Sequence, residues 1–166
     1  AGYYAGETVY KPVEKMFEHA EGPLNAELRT GPFKGLKTTA AVAEIYEKTL
    51  EDLDGVREKA AGRPVAVLDL APYTYLYLNG PYGAYTAWFE YYETERLAAF
   101  WALRPARQPA YIYLPFYEKG LLAPYLEEIL QLKLELLAPF AEGEIERGRA
   151  GYIIRVTKLN LPEIEG

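Results

Sequence analysis

The 166-residue chain has no cysteine and a single histidine, His19. The first absence excludes thiol catalysis, thiolate metal sites and disulfides, and the second excludes multi-histidine zinc or iron centres. Only a hard cation held by carboxylate oxygens stays open to such a chain, and no metal or cofactor is expected. Basic residues are outnumbered, 18 Lys and Arg against 24 Asp and Glu, for a formal net charge of -6. Phosphate backbones are bound by clustered Lys and Arg, so a nucleic-acid partner is not expected. No apolar run approaches the ~20 residues that cross a bilayer, and the N-terminus lacks the basic-then-apolar order of a signal peptide. Methionine is almost missing: the chain begins Ala1-Gly2-Tyr3 and holds only Met16. This suggests a piece excised from a longer polypeptide, with any targeting or membrane segment upstream.

What is present suits one core. Half of the residues are apolar and a quarter are charged, and a chain of this length buries enough apolar surface to fold without crosslinks. Residues 1–23 form a loosely specified lead-in with a short helix over Val13 to Ala20, and candidate strands lie at Thr8 to Lys11 and Leu24 to Arg29. Gly31-Pro32-Phe33-Lys34-Gly35 reads as a constrained turn. From Thr39 to Ala60, Val42, Ile45, Tyr46, Thr49, Leu50, Leu53 and Val56 recur at helical spacing. Pro64 to Leu70 is a short valine-rich run, the pattern of a strand buried on both faces. A helix is expected from Thr94, as N-cap, to Pro105, then a strand over Ala110 to Leu114. Pro124 to Leu137 reads as a helix with a wide apolar face and therefore well buried. Gly143 to Arg147 and Tyr152 to Val156 read as a hairpin around Gly148 to Gly151, and residues 159–166 as a frayed tail. The alternation predicts an α/β domain: a three-layer sandwich with a mostly parallel sheet and an antiparallel C-terminal edge.

In such a sheet, ligands sit beyond the carboxyl ends of strands. The candidate site is therefore the stretch after Leu70, with Asp69, Tyr73, Tyr82, Tyr85, Trp88 and Glu90 as ligand-binding candidates. Asp69 is placed to act as a general base or to cap the following turn, and Glu90 offers a second carboxylate for a hydrolase. Ala71-Pro72 is not a glycine-rich phosphate loop, since proline removes a donor amide. The tyrosines combine an apolar ring face with a polar tip, which suits sugar stacking as well as core packing. Tyr73 to Leu78 alternates like a strand but starts like a short helix, and helix is the preferred reading. Arg147, Arg149, Arg155 and Lys158 form the one basic cluster, read as a solvated sheet edge. No complete catalytic set is visible.

Several phrases together carry a resemblance: Gly31-Pro32-Phe33-Lys34-Gly35-Leu36-Lys37-Thr38-Thr39, Ala71-Pro72-Tyr73, Tyr82-Gly83-Ala84-Tyr85-Thr86-Ala87-Trp88, Pro109-Ala110-Tyr111-Ile112-Tyr113-Leu114-Pro115 and Ala150-Gly151-Tyr152-Ile153-Ile154. Over Leu24 to Val156 the chain resembles the C-terminal soluble domain of uncharacterised, glycosyltransferase-like polytopic membrane proteins of gut Firmicutes. That resemblance implies an extracytoplasmic, non-catalytic accessory domain. The expected contacts are a glycan or lipid-linked sugar, and a membrane through an upstream segment. The alternatives are a hydrolase using Asp69 and Glu90, and a protein-interaction module built on the tyrosines.

Overall fold

In the computed structural model, residues 22–68, 72–87, 89, 93–115 and 125–163 are described. A two-residue pairing opens them, β1 (Ala26–Glu27) against β2 (Lys37–Thr38), antiparallel. Helix α1 (Ala40–Ala60) starts where the Thr39 side chain accepts a hydrogen bond from the Val42 amide. It buries Tyr46, Leu50, Leu53 and Val56 along one stripe. The helix stops where Ala61 and Gly62 take positive φ values of 51° and 81°, a conformation that closes helices and that glycine adopts freely.

Strand β3 (Val65–Val67) follows, then helix α2 (Tyr73–Leu78), helix α3 (Thr94–Leu103), a 3-10 turn (Pro105–Arg107) and strand β4 (Tyr111–Pro115). The helical reading of Tyr73 to Leu78 holds. Helix α3 begins at Thr94, but Glu93 occupies the cap position and Thr94 lies inside the first turn. Helix α4 (Leu126–Leu137) leads into β5 (Ala141–Arg147) and β6 (Gly151–Leu159).

The main sheet has the order β3-β4-β6-β5. Only β3 and β4 pair in parallel, while β4–β6 and β6–β5 are antiparallel. The expected antiparallel C-terminal edge is present, but a mostly parallel sheet is not. The cause is the short β5–β6 turn, which forces those strands to run oppositely, and the insertion of β6 beside β4. The architecture is thus mixed α/β with two sheets, one of them of mixed direction.

Every residue of β4 is buried, and alternate residues serve two apolar clusters. Tyr111 and Tyr113 join Val65 and Val67 and the inward stripe of α1. Ile112 and Leu114 join Ala66, Leu68, Leu97 and Trp101 of α3, and Leu137 of α4. Helix α4 is less covered than its composition suggests. Leu130 and Leu137 are buried, whereas Leu132 and Leu136 are 55% and 40% exposed. A groove of about 270 Å³ lies between the helix and β5. The expected fraying from 159 onward also fails at its start: Leu159 belongs to β6, the Asn160 amide bonds the Phe140 carbonyl, and Leu161 packs on the second cluster. Among the described residues, no helix is long and apolar enough to cross a membrane. The predicted strand Thr8 to Lys11 and the helix carrying His19 lie outside the described residues.

Candidate functional site

Asp69, Trp88 and Glu90 also lie outside the described residues. The other candidates do not surround one opening. Tyr73 is buried in the first cluster, with its ring 5.4 Å from that of Phe33 and 5.3 Å from that of Tyr46. Tyr85 belongs to the second, edge-on to Phe100 at 5.9 Å and beneath the Arg96 guanidinium at 5.3 Å. Tyr82 pairs with Val65 at the amino end of β3, away from the Leu68 end where the ligand crevice was expected. The basic cluster is likewise dispersed among carboxylates: Arg147 pairs with Glu127, Arg149 with Glu51, Arg155 with Glu144 and Lys158 with Glu142.

Tyr75 shows why part of the tyrosine crowding is architectural. Its buried hydroxyl accepts from the Val67 amide at 2.8 Å and donates to the Val67 carbonyl at 2.9 Å. The phenol thereby completes the main-chain pairing of β3 with α2, and burial raises its pKa above the ordinary value.

An exposed polar and aromatic group does assemble at the last turn of α2. Tyr77 donates to the Asp54 carboxylate, 3.0 Å and 3.1 Å from its two oxygens. Arg57 pairs with Asp54, bonds the Tyr77 carbonyl, and lies 5.4 Å from the centre of the Tyr77 ring. Tyr82, 40% exposed, packs edge-on against Tyr75 at 4.8 Å and donates to the Tyr75 carbonyl. Arg57 and Tyr82 therefore meet carbonyls of the same short helix. The Tyr77 pKa is raised, by loss of hydration first and then by Asp54. The i,i+3 spacing of Asp54 and Arg57 on α1 was the available sequence signal for this pair.

A second polar group is buried. Asp52, on the inward face of α1, accepts from Tyr113 Oη at 2.8 Å, from the Arg149 amide at 2.7 Å and from the Ala150 amide at 2.8 Å. One carboxylate thus ties a helix to the central strand β4 and to the β5–β6 turn. Two glycines make room for it. A Cβ on Gly148 would come within 2.5 Å of an Asp52 oxygen, and one on Gly151 within 2.5 Å of the Tyr113 ring. Burial, followed by the Asp52 charge and hydrogen bond, pushes the Tyr113 phenol upward. All three donors are spent on one 6%-exposed carboxylate, so the arrangement positions the turn and leaves no acceptor open to a substrate.

Among the described residues, no three His, Cys, Asp or Glu side chains are grouped to hold a metal ion. The chain matches no protein-family model, no curated protein and no solved structure.

Proposed function

We propose that the chain is a non-catalytic binding domain that contacts an uncharged glycan through Tyr77, Tyr82, Asp54 and Arg57. The extracytoplasmic, membrane-anchored and glycosyltransferase-like setting belongs to the same proposal and rests on the resemblance of Leu24 to Val156 described above. A three-layer reading of the fold, with the two apolar clusters on opposite sides of the main sheet, is part of it as well.

The observation that carries the proposal is the exposed Asp54–Arg57–Tyr77 group. Sugars are recognised by rings that offer an apolar face and by planar groups that hydrogen-bond neighbouring hydroxyls. Asp54 and Arg57 neutralise each other, and the chain carries a formal charge of -6. Both features favour a neutral glycan over an acidic one. A glycan array probed with the protein and with Tyr77→Ala and Tyr82→Ala tests this. Neutral glycans retained by the parent chain and lost by both variants support the reading. No retention, or retention unaffected by either change, removes it.

A further inference from the structure

We propose that β5 is a docking strand whose open edge accepts an extended segment of a partner protein in which apolar and basic residues alternate. β5 ends the sheet and pairs on one side only, with β6. The direction of its main-chain groups follows from two hydrogen bonds. The Gly148 amide donates to the Gly151 carbonyl at 2.7 Å, so Glu146 and Glu144 point their amides and carbonyls at β6 while Ile145 and Arg147 point theirs outward. On the far side of β6 the Val156 amide bonds the Ala110 carbonyl at 3.0 Å. This assigns Val156, Ile154 and Tyr152 to β4 and leaves Arg155 and Ile153 for β5, the same phase.

Side chains on the two faces of β5 differ in kind. Glu142, Glu144 and Glu146 project on the Ile153 side, where a cleft of about 410 Å³ runs between β5 and Lys59 of α1. Gly143 and Ile145 project on the other side, towards the groove lined by Leu134 and Leu137. Ile145 borders both openings and is 55% exposed. A strand added outside Ile145 sets successive side chains alternately over an acidic row and an apolar groove, the arrangement in which main-chain bonds give affinity and alternate pockets give specificity.

Charge selects the occupant. Glu142, Glu144 and Glu146 each pair with one cation, Lys158, Arg155 and Lys59, yet their side chains remain 51%, 70% and 61% exposed. Basic residues on an incoming strand have carboxylates to meet there. A second copy does not fit: antiparallel β5 on β5 centred at Glu144 sets Glu142 against Glu146 and Glu144 against itself, and like charges directly opposite destabilise a sheet. The glutamate row thus closes the edge to copies of the chain and opens it to a basic partner.

The test is amide hydrogen exchange, read by NMR on the labelled protein, with a heptapeptide alternating valine and lysine and a control alternating valine and glutamate. The lysine peptide is expected to slow exchange at Ile145 and Arg147 about tenfold or more, the glutamate peptide to leave it unchanged. Ile145→Pro removes an outward amide without breaking the bonds to β6, and Glu144→Lys with Glu146→Lys reverses the row. Each is expected to abolish the protection. Unchanged exchange with the lysine peptide at millimolar concentration overturns the proposal, as does equal protection by both peptides. So does protection without peptide that grows with protein concentration, which would assign the edge to a second copy.

Discussion

Replacing Asp52 by alanine removes the acceptor shared by Tyr113 Oη and the Arg149 and Ala150 amides. The hydroxyl and the Ala150 amide are buried, and a buried donor left without a partner costs about 1–3 kcal/mol. The Arg149 amide is only partly buried, so water replaces the carboxylate there at smaller cost. Together these give an expected loss of about 3–6 kcal/mol, against a total of about 5–15 kcal/mol for an ordinary domain. Tyr113→Phe is milder, because the carboxylate keeps both amides; losing one hydrogen bond to a charged group costs about 1.5–3 kcal/mol. In the double variant no phenol is stranded, so its cost should fall short of the sum by about 1–3 kcal/mol. Urea unfolding of the four proteins at pH 7, followed by circular dichroism, measures all of these. A cost below about 1 kcal/mol for Asp52→Ala, or strict additivity in the cycle, would refute the reasoning.

The same network predicts that Gly148→Ala, whose Cβ would press on the Asp52 carboxylate, destabilises by about 1–3 kcal/mol in the same assay, and much less in an Asp52→Ala background. Trp101 is fully buried and its indole donates to the Gly83 carbonyl at 2.6 Å. Trp101→Ala should cost about 3–5 kcal/mol, measured as a drop in the urea midpoint. Alkaline pH should expose the buried phenols. Tyr75 and Tyr113 have raised pKa values in the fold, so they keep protons that the unfolded chain releases from about pH 10 upward. The stability they contribute is present below about pH 10 and falls above it by about 1.4 kcal/mol per pH unit for each group. Tyr75→Phe and Tyr113→Phe should each remove one group's share of that slope in unfolding curves taken from pH 9 to 11.5. An unchanged slope would contradict the assignment.

Where information is local, the sequence was informative. Apolar spacing and the Thr39 cap locate α1 almost to the residue, and the short hairpin glycines locate β5 and β6. The direction of the sheet was misjudged because helix–strand alternation suggests parallel crossovers, whereas the insertion of β6 between β4 and β5 is a long-range event. Asp52 passed unnoticed although it sits on the same inward stripe as Thr49, Leu53 and Val56, and a carboxylate at such a position calls for partners. Those partners are 61, 97 and 98 residues away, beyond what spacing reveals. The tyrosines were visible as a crowd but not as individuals. Tyr73 and Tyr85 differ in which cluster they enter, and Tyr75 differs from Tyr77 in giving its hydroxyl to a buried backbone instead of an exposed carboxylate.

The most direct test of the binding proposal is a titration of the labelled protein with the best-retained neutral oligosaccharide from the array, followed by NMR shifts. The account predicts saturable shifts confined to Asp54, Arg57, Tyr77, Tyr82 and their neighbours, lost in Arg57→Ala and Tyr77→Ala proteins that still unfold at the parent's urea midpoint. Shifts centred elsewhere, or none up to millimolar sugar, would contradict it.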